Sequence, residues 1–301
     1  MDTALTGESE MAPCQVPRDA AAGPATTGRA PSGTVAFVLQ GGGSLCASQV
    51  GMLRALTQAG ITPDLVVGSS AGALNGAVFA ADPSIEGIDR LEALWLHLKR
   101  RHIAPISPRT LIKAAVGRGE AAVSSAALRR LLRSGVGVER LEETVVPVHV
   151  VATDFETGAA VVLSRGDAVT ALLASAAFPG LYPPVRVGER SLVDGGVSAD
   201  TPVLQAEALG ATTMYVLPAA ATHETGCQAH TVLLAACRAV GQILMERERQ
   251  DLAAVRGSVL RLPAAATPVG SLIDFRDTAR LVQAGYRLTE DWLSRQPTAV
   301  G

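Results

Sequence analysis

Apolar positions along this chain follow two rhythms. Short, nearly continuous apolar runs with β-branched residues, Thr34–Leu39 (TVAFVL), Asp64–Val67, Met214–Leu217 and Val259–Leu262, have the length of buried strands. Between them lie stretches of helical spacing: Leu45 to Ala59, closed by Gly60, then Gly72 to Ala80, Asp167 to Ala176, Thr231 to Val255 and Asp277 to Leu293. Residues 84–133 read as further helices, broken at Pro105, Pro108 and the Gly117/Gly119 region. Pro147–Ala152 and Ala159–Leu163 flank the turn-forming TDFETG and predict a hairpin, and a later strand ends in LVDGG. Apolar strands alternating with helices predict a layered α/β domain with a largely parallel sheet.

The pattern also sets the expected limits of the domain. Residues 1–33, rich in Ala, Gly, Pro, Ser and Thr and without either rhythm, read as a disordered leader. Residues 34–296 then form one domain, and 297–301 a short tail. No basic start followed by an apolar stretch suggests a secretory signal, and the longest charge-free run, Ala168–Val185, is broken by Pro179, Pro183 and Pro184. The expected location is cytoplasmic, with peripheral membrane contact as an option.

Composition narrows the chemistry further. Of 301 residues, 48% are hydrophobic and 18% charged, and the net charge is −2, so nothing global favours nucleic acid. Cys14, Cys46, Cys227 and Cys237 form no C-x-x-C pair and have no histidine at ligand spacing, which predicts neither a disulfide framework nor a metal site. Only residues 97–133 are locally biased, with nine Lys or Arg against Glu120. With Leu111, Ile112, Leu128, Leu131 and Leu132 among them, these charges could meet anionic lipid headgroups or could simply form a solvated helical face.

Three segments carry chemistry. Gly68-Ser69-Ser70-Ala71-Gly72, between a strand and a helix, fits a nucleophile elbow: the sharp turn strains Ser70 and needs very small residues two positions away on each side. Gly41-Gly42-Gly43-Ser44, also between strand and helix, can point successive N–H groups into one concavity that holds an anion. Asp194-Gly195-Gly196 puts a carboxylate at a strand end with room for close approach, as a general base requires. Each also has a bland reading, a small-residue turn, a ligand-free glycine loop or an ordinary Asp-Gly turn. A dinucleotide loop fits poorly, because Cys46 replaces the final glycine and no acidic residue ends the second strand. No Gly-Lys-Ser/Thr follows, so a P-loop is excluded.

Together and in this order, the three segments make the sequence resemble the patatin-like phospholipase family. The likeness takes in VGML, GALNGA, ATDFETG, ASAAFPGLYPPV and DGGVSADTPV and spans Val35–Ala211. It implies a three-layer α/β/α sandwich with a central, mostly parallel sheet and hydrolysis of lipid acyl esters without metal or organic cofactor. In this reading Ser70 is the nucleophile, Asp194 its base, and Gly41–Ser44 the oxyanion loop, with Gly42, Gly43 and Ser44 as N–H donors.

Cys46 stands where the family loop usually has its last glycine. If that position needed a positive φ or close packing of backbone against the elbow, the Cβ and sulfur would distort the loop, and the alternative is a non-catalytic lipid-binding protein of the same fold. A Ser-His-Asp hydrolase would need His223 or His230 after the aspartate, yet only one strand and the glycine loop precede the elbow, where that fold normally has several strands. His97 and His102 border the basic segment and His149 lies in a strand. Asp154 is expected to tie its turn, and Asp200 to cap the helix starting at Thr201-Pro202. Lipid class, protein partners and oligomeric state are not readable.

Overall fold

The computed structural model describes residues 33–103, 123–222, 232–267 and 272–296. The leader up to residue 32, the breaks expected at Pro105, Pro108 and Gly117/Gly119, His223, His230 and the tail lie outside these residues. Strands β1 (Val35–Leu39), β2 (Leu65–Ser69), β3 (Val148–Asp154), β7 (Thr213–Leu217) and β9 (Ser258–Arg261) pair in parallel in the order β3-β2-β1-β7-β9. Strands β4 (Ala160–Leu163), β5 (Val185–Val187) and β6 (Arg190–Asp194) add antiparallel pairs at the β3 side, and β8 (Ala221–Thr222) pairs β10 (Ala266–Thr267) separately.

The alternation within each strand sorts the core into two faces. Phe37 and Leu39 of β1, with Val66 and Val150, pack under α1 (Ala47–Gln58), α2 (Ser70–Ala81), α3 (Ile85–His97), α4 (Ala126–Gly135) and α5 (Ala168–Ser175). The last helix, α8 (Thr278–Arg295), joins the same layer through Leu281 and Val282. Ala36, Val38, Val67, Val151 and Met214 face the other way, against α6 (Val203–Ala208) and Leu252 of α7 (Val232–Ala254). The result is the expected three-layer α/β/α sandwich. The TDFETG hairpin forms with Thr153 opposite Ala160, and Asp154 accepts from the Glu156 and Thr157 N–H groups, a turn-tying role.

One buried polar chain runs behind the glycine loop. Trp95 Nε1 donates to Asn75 Oδ1 at 2.6 Å, Asn75 Nδ2 to Gln49 Oε1 and the Cys46 carbonyl, and Gln49 Nε2 to the carbonyls of Gln40 and Leu217. Each link satisfies a group that would otherwise be buried without a partner. Asn75→Ala leaves the Trp95 N–H and Gln49 Oε1 unpaired and is expected to lower unfolding stability by about 2 to 3 kcal/mol. Urea denaturation measures the difference, and an unchanged midpoint would argue against a supporting role for the chain.

Candidate functional site

The site depends on where two strands stop. Residues 150–151 of β3 pair with both β2 and β4, and residues 152–153 with both β4 and β6, so β2 and β6 share one edge of β3. They run toward each other along it: Ser69 lies opposite Val151 and Asp194 opposite Ala152. The residue after β2 and the last residue of β6 therefore meet.

At the end of β2 the chain turns at once into α2. Ser69 is extended (φ −121°, ψ 139°), whereas Ser70 has φ 52°, the only positive φ of a non-glycine among the described residues. Such a backbone costs about 1 to 3 kcal/mol and persists only where the surroundings impose it. A Cβ at Gly72 would run into the Gln40 and Leu39 carbonyl oxygens, and one at Gly68 would come within 2.6 Å of the Ala73 Cα. Gly68 and Gly72 are thus both required by close backbone approach.

Ser70 Oγ donates to Asp194 Oδ2 at 2.8 Å, and the other carboxyl oxygen accepts the Gly196 N–H at 2.8 Å. Asp194 is only 4% exposed. Burial pushes its carboxyl up to about 6, against the opposing pull of the hydrogen bonds from Ser70 and Gly196. A residue that the sequence reading passed over aligns the pair. Ser175 Oγ accepts the Ser70 N–H at 2.8 Å and donates to the Val151 carbonyl, while its own carbonyl accepts the Gly195 N–H. Its signal was one hydroxyl in the alanine-rich ALLASAAF, a weak one.

Of the four residues of the expected oxyanion loop, Gly41–Ser44, two use their N–H groups internally, among them the expected donor Ser44. Gly41 N–H donates to the Asp200 carbonyl and Ser44 N–H to the Leu272 carbonyl. Gly42 and Gly43 N–H have no partner among the described residues, and the two residues carry φ 147° and 56°. Cys46 has φ −70° and ψ −4°, ordinary helical values, and its buried thiol lies 3.4 Å from the Gln40 carbonyl. The backbone at Cys46 therefore does not need the positive φ that would require glycine.

Other expectations change. Asp200 does not cap the following helix, whose N-cap is Pro202 without a side-chain bond; its carboxylate instead accepts from Gln40 Nε2 at 3.1 Å. Leu128 and Leu132 are buried and Leu131 packs on the same core, so these leucines are unavailable to lipid, while Leu111 and Ile112 lie outside the described residues. Lys99–Arg101 and Arg129, Arg130 and Arg133 keep the basic character. His149 pairs with Ser164, and His97 Nδ1 lies 2.6 Å from the Ala93 carbonyl. No helix among the described residues is long and apolar enough to cross a membrane.

Comparison with known proteins gives the family. The family described as patatin-like phospholipase matches residues 37–207, more than half of the chain. An uncharacterized NTE family protein of Mycobacterium tuberculosis (strain H37Rv) is 32% identical over 172 residues, covering 56% of this chain and 27% of that protein. Patatin-like phospholipase domain-containing protein 6 of Mus musculus is 28% identical over 194 residues, covering 64% of this chain and 14% of its own length. The chain therefore spans only a minor part of these relatives. Among solved structures, VipD from Legionella pneumophila aligns with a TM-score of 0.49 at 16% identity, over 88% of this chain and 67% of that one.

The raised carboxyl gives a stability test. Asp194 in the folded state binds its proton more tightly than the unfolded chain does, so folding stability falls as pH rises from about 3.9 to about 6. Asp194→Asn removes this cost. It is expected to exceed wild type in stability at pH 8 by on the order of 2 kcal/mol, with the gap closing toward pH 4, as read by denaturation at both pH values. A variant less stable at pH 8 would contradict the assignment of a desolvated carboxylate.

Proposed function

The chain belongs to the patatin-like phospholipase family, and from that premise we propose that it is a lipid acyl hydrolase working with a Ser70–Asp194 dyad. The observation that carries this reading is a strained serine at a strand-to-helix turn, 2.8 Å from a buried carboxylate of raised pKa. An aspartate of ordinary pKa ~3.9 is a poor acceptor for a hydroxyl proton, and desolvation improves it.

In this mechanism Asp194 Oδ2 takes the Ser70 proton as Oγ bonds to the ester carbonyl carbon. The carbonyl oxygen becomes an oxyanion held by the Gly42 and Gly43 N–H groups, beside the N-terminus of α2, whose dipole also favours negative charge. Collapse breaks the bond to the leaving alcohol, which receives the proton from Asp194. Water then attacks the acyl-serine and gives its proton to Asp194, and release of the fatty acid returns that proton to Ser70. Each step uses groups of this chain and water alone. The alternative, a non-catalytic lipid binder of the same fold, rests on a loop impaired by Cys46, and the helical φ at Cys46 favours the hydrolase reading over it.

Two experiments test the reading. Hydrolysis of p-nitrophenyl esters and labelling by a fluorophosphonate should be clear in wild type, and both should fall at least about 10³-fold in Ser70→Ala and in Asp194→Asn; unchanged turnover in either variant refutes the dyad. For the substrate-bearing surface, we infer that the basic residues at 99–101 and 129–133 draw the protein to anionic lipid by charge alone. Co-sedimentation with anionic vesicles should exceed that with neutral ones and fade at about 0.5 M salt, and absence of binding to both would sink this part.

A further inference from the structure

Beyond Asp194 the segment DGGVSADTP makes a single helical turn, Gly196–Ala199, and brings Asp200 back against the glycine loop. Its carbonyl oxygen accepts the Gly41 N–H at 2.9 Å and its Oδ2 accepts Gln40 Nε2 at 3.1 Å. Its Oδ1 crowds both Gly41 and Gly196: a Cβ at either would come within 2.5 and 3.0 Å of it respectively. Gly196 is the residue whose N–H holds Asp194, and the Cβ position of Gly41 lies 3.4 Å from Ser70 Cβ. One side chain thus touches both the loop carrying the free N–H groups and the turn carrying the base.

The residue type is costly where it stands. No Lys or Arg pairs with Asp200 among the described residues; Arg261 bonds Glu248 at 2.6 Å instead, and Gln40 Nε2 is shared between Asp200 and Glu248. The charged groups facing Asp200 are Asp194 from the end of β6, Glu248 from α7 and Arg261 from β9, and the Cys46 thiol at the start of α1 feels both aspartates. An asparagine could accept from Gln40 equally well without bringing a third acid to the site.

We propose that Asp200 is a positioning residue for hydrolysis, fixing through Gln40 and Gly41 where the Gly42 and Gly43 N–H groups stand relative to Ser70. The inference rests on the reading of Ser70 and Asp194 as the hydrolytic centre. Its charge adds a second consequence. Desolvation, reinforced by Asp194 and Glu248, pushes the Asp200 carboxyl up to about 7, against Gln40 and Arg261, so the two buried carboxyls titrate as a coupled pair. The site then has two ionisations within the working range, where a lone base would give one.

The test is kcat and KM for a p-nitrophenyl ester from pH 5 to 9 in wild type, Asp200→Asn and Asp200→Ala. Wild type should show ionisations near 6 and 7 in kcat. Asp200→Asn, which keeps an acceptor for Gln40, should hold kcat at pH 6 within about threefold, keep the limb near 6 and lose the one near 7. Asp200→Ala removes the nearer acceptor of Gln40 Nε2, leaving it to Glu248, and should lower kcat about tenfold or more, as misplaced groups do, with KM within about twofold. Wild-type kcat in Asp200→Ala, or both ionisations intact in Asp200→Asn, overturns the proposal; if the alanine variant does not fold, the asparagine profile decides alone. A wild type that neither hydrolyses esters nor labels at Ser70 would instead remove the hydrolase reading and this inference with it.

Discussion

Along one edge of β3, a parallel strand and an antiparallel strand run head to head and stop one residue apart. Everything at the site follows from that arrangement. Ser69 and Asp194 pair with adjacent residues of β3, Val151 and Ala152, so the positions of the hydroxyl and the carboxylate are fixed by main-chain ladders rather than by flexible side chains. Ser175 closes the gap between the strand ends by bonding the Ser70 N–H, the Gly195 N–H and the Val151 carbonyl. A one-residue slip of β6 would move Asp194 off this register and turn its side chain to the other face of the sheet.

The same geometry sets the electrostatics. A strand end sealed by Ser175 and Thr153, which donates to the Asp194 carbonyl, leaves Asp194 almost no contact with water. Desolvation raises the carboxyl's proton affinity, and folding stability falls with pH over the range where the unfolded chain has released that proton and the folded state still holds it. The strained backbone of Ser70 adds a cost in the same place. Both are sustained by the close-packed sheet and the helices on its two faces.

The glycine loop is braced from two directions. Behind it, the Trp95–Asn75–Gln49 chain fixes the Gln40 carbonyl; in front, the Gln40 side chain reaches Asp200, Glu248 and the Ala219 N–H. A loop whose glycines have wide conformational freedom gains a single shape from these contacts, and preorganised N–H groups stabilise a developing charge without first having to reorient. Cys46 fits this design as a buried thiol in helical conformation.

Local sequence was sufficient for most of the elements, because apolar periodicity records which face each strand and helix buries. The strands expected at 34–39, 147–152 and 214–217, the hairpin at TDFETG and the strand-to-helix turn at Ser70 with its two glycines are legible, since each depends on near neighbours in the chain. The pairing of Ser70 with Asp194 was suggested by the order of motifs, but their 2.8 Å separation arises from 124 positions of intervening chain folding onto one edge of β3. Roles that rest on such long-range approach were misread or missed. Ser175 carries no local signal of its role, Asp200 reads as a cap, and Leu128 and Leu132 read either as lipid-facing or as part of a solvated helix, whereas the core buries both. Sequence alone determined the kinds of groups and their local backbone demands. Only the tertiary structure decided which N–H groups stayed free, which carboxylates lost their water and which charges came to face each other, because those are properties of what packs around a residue rather than of the residue itself.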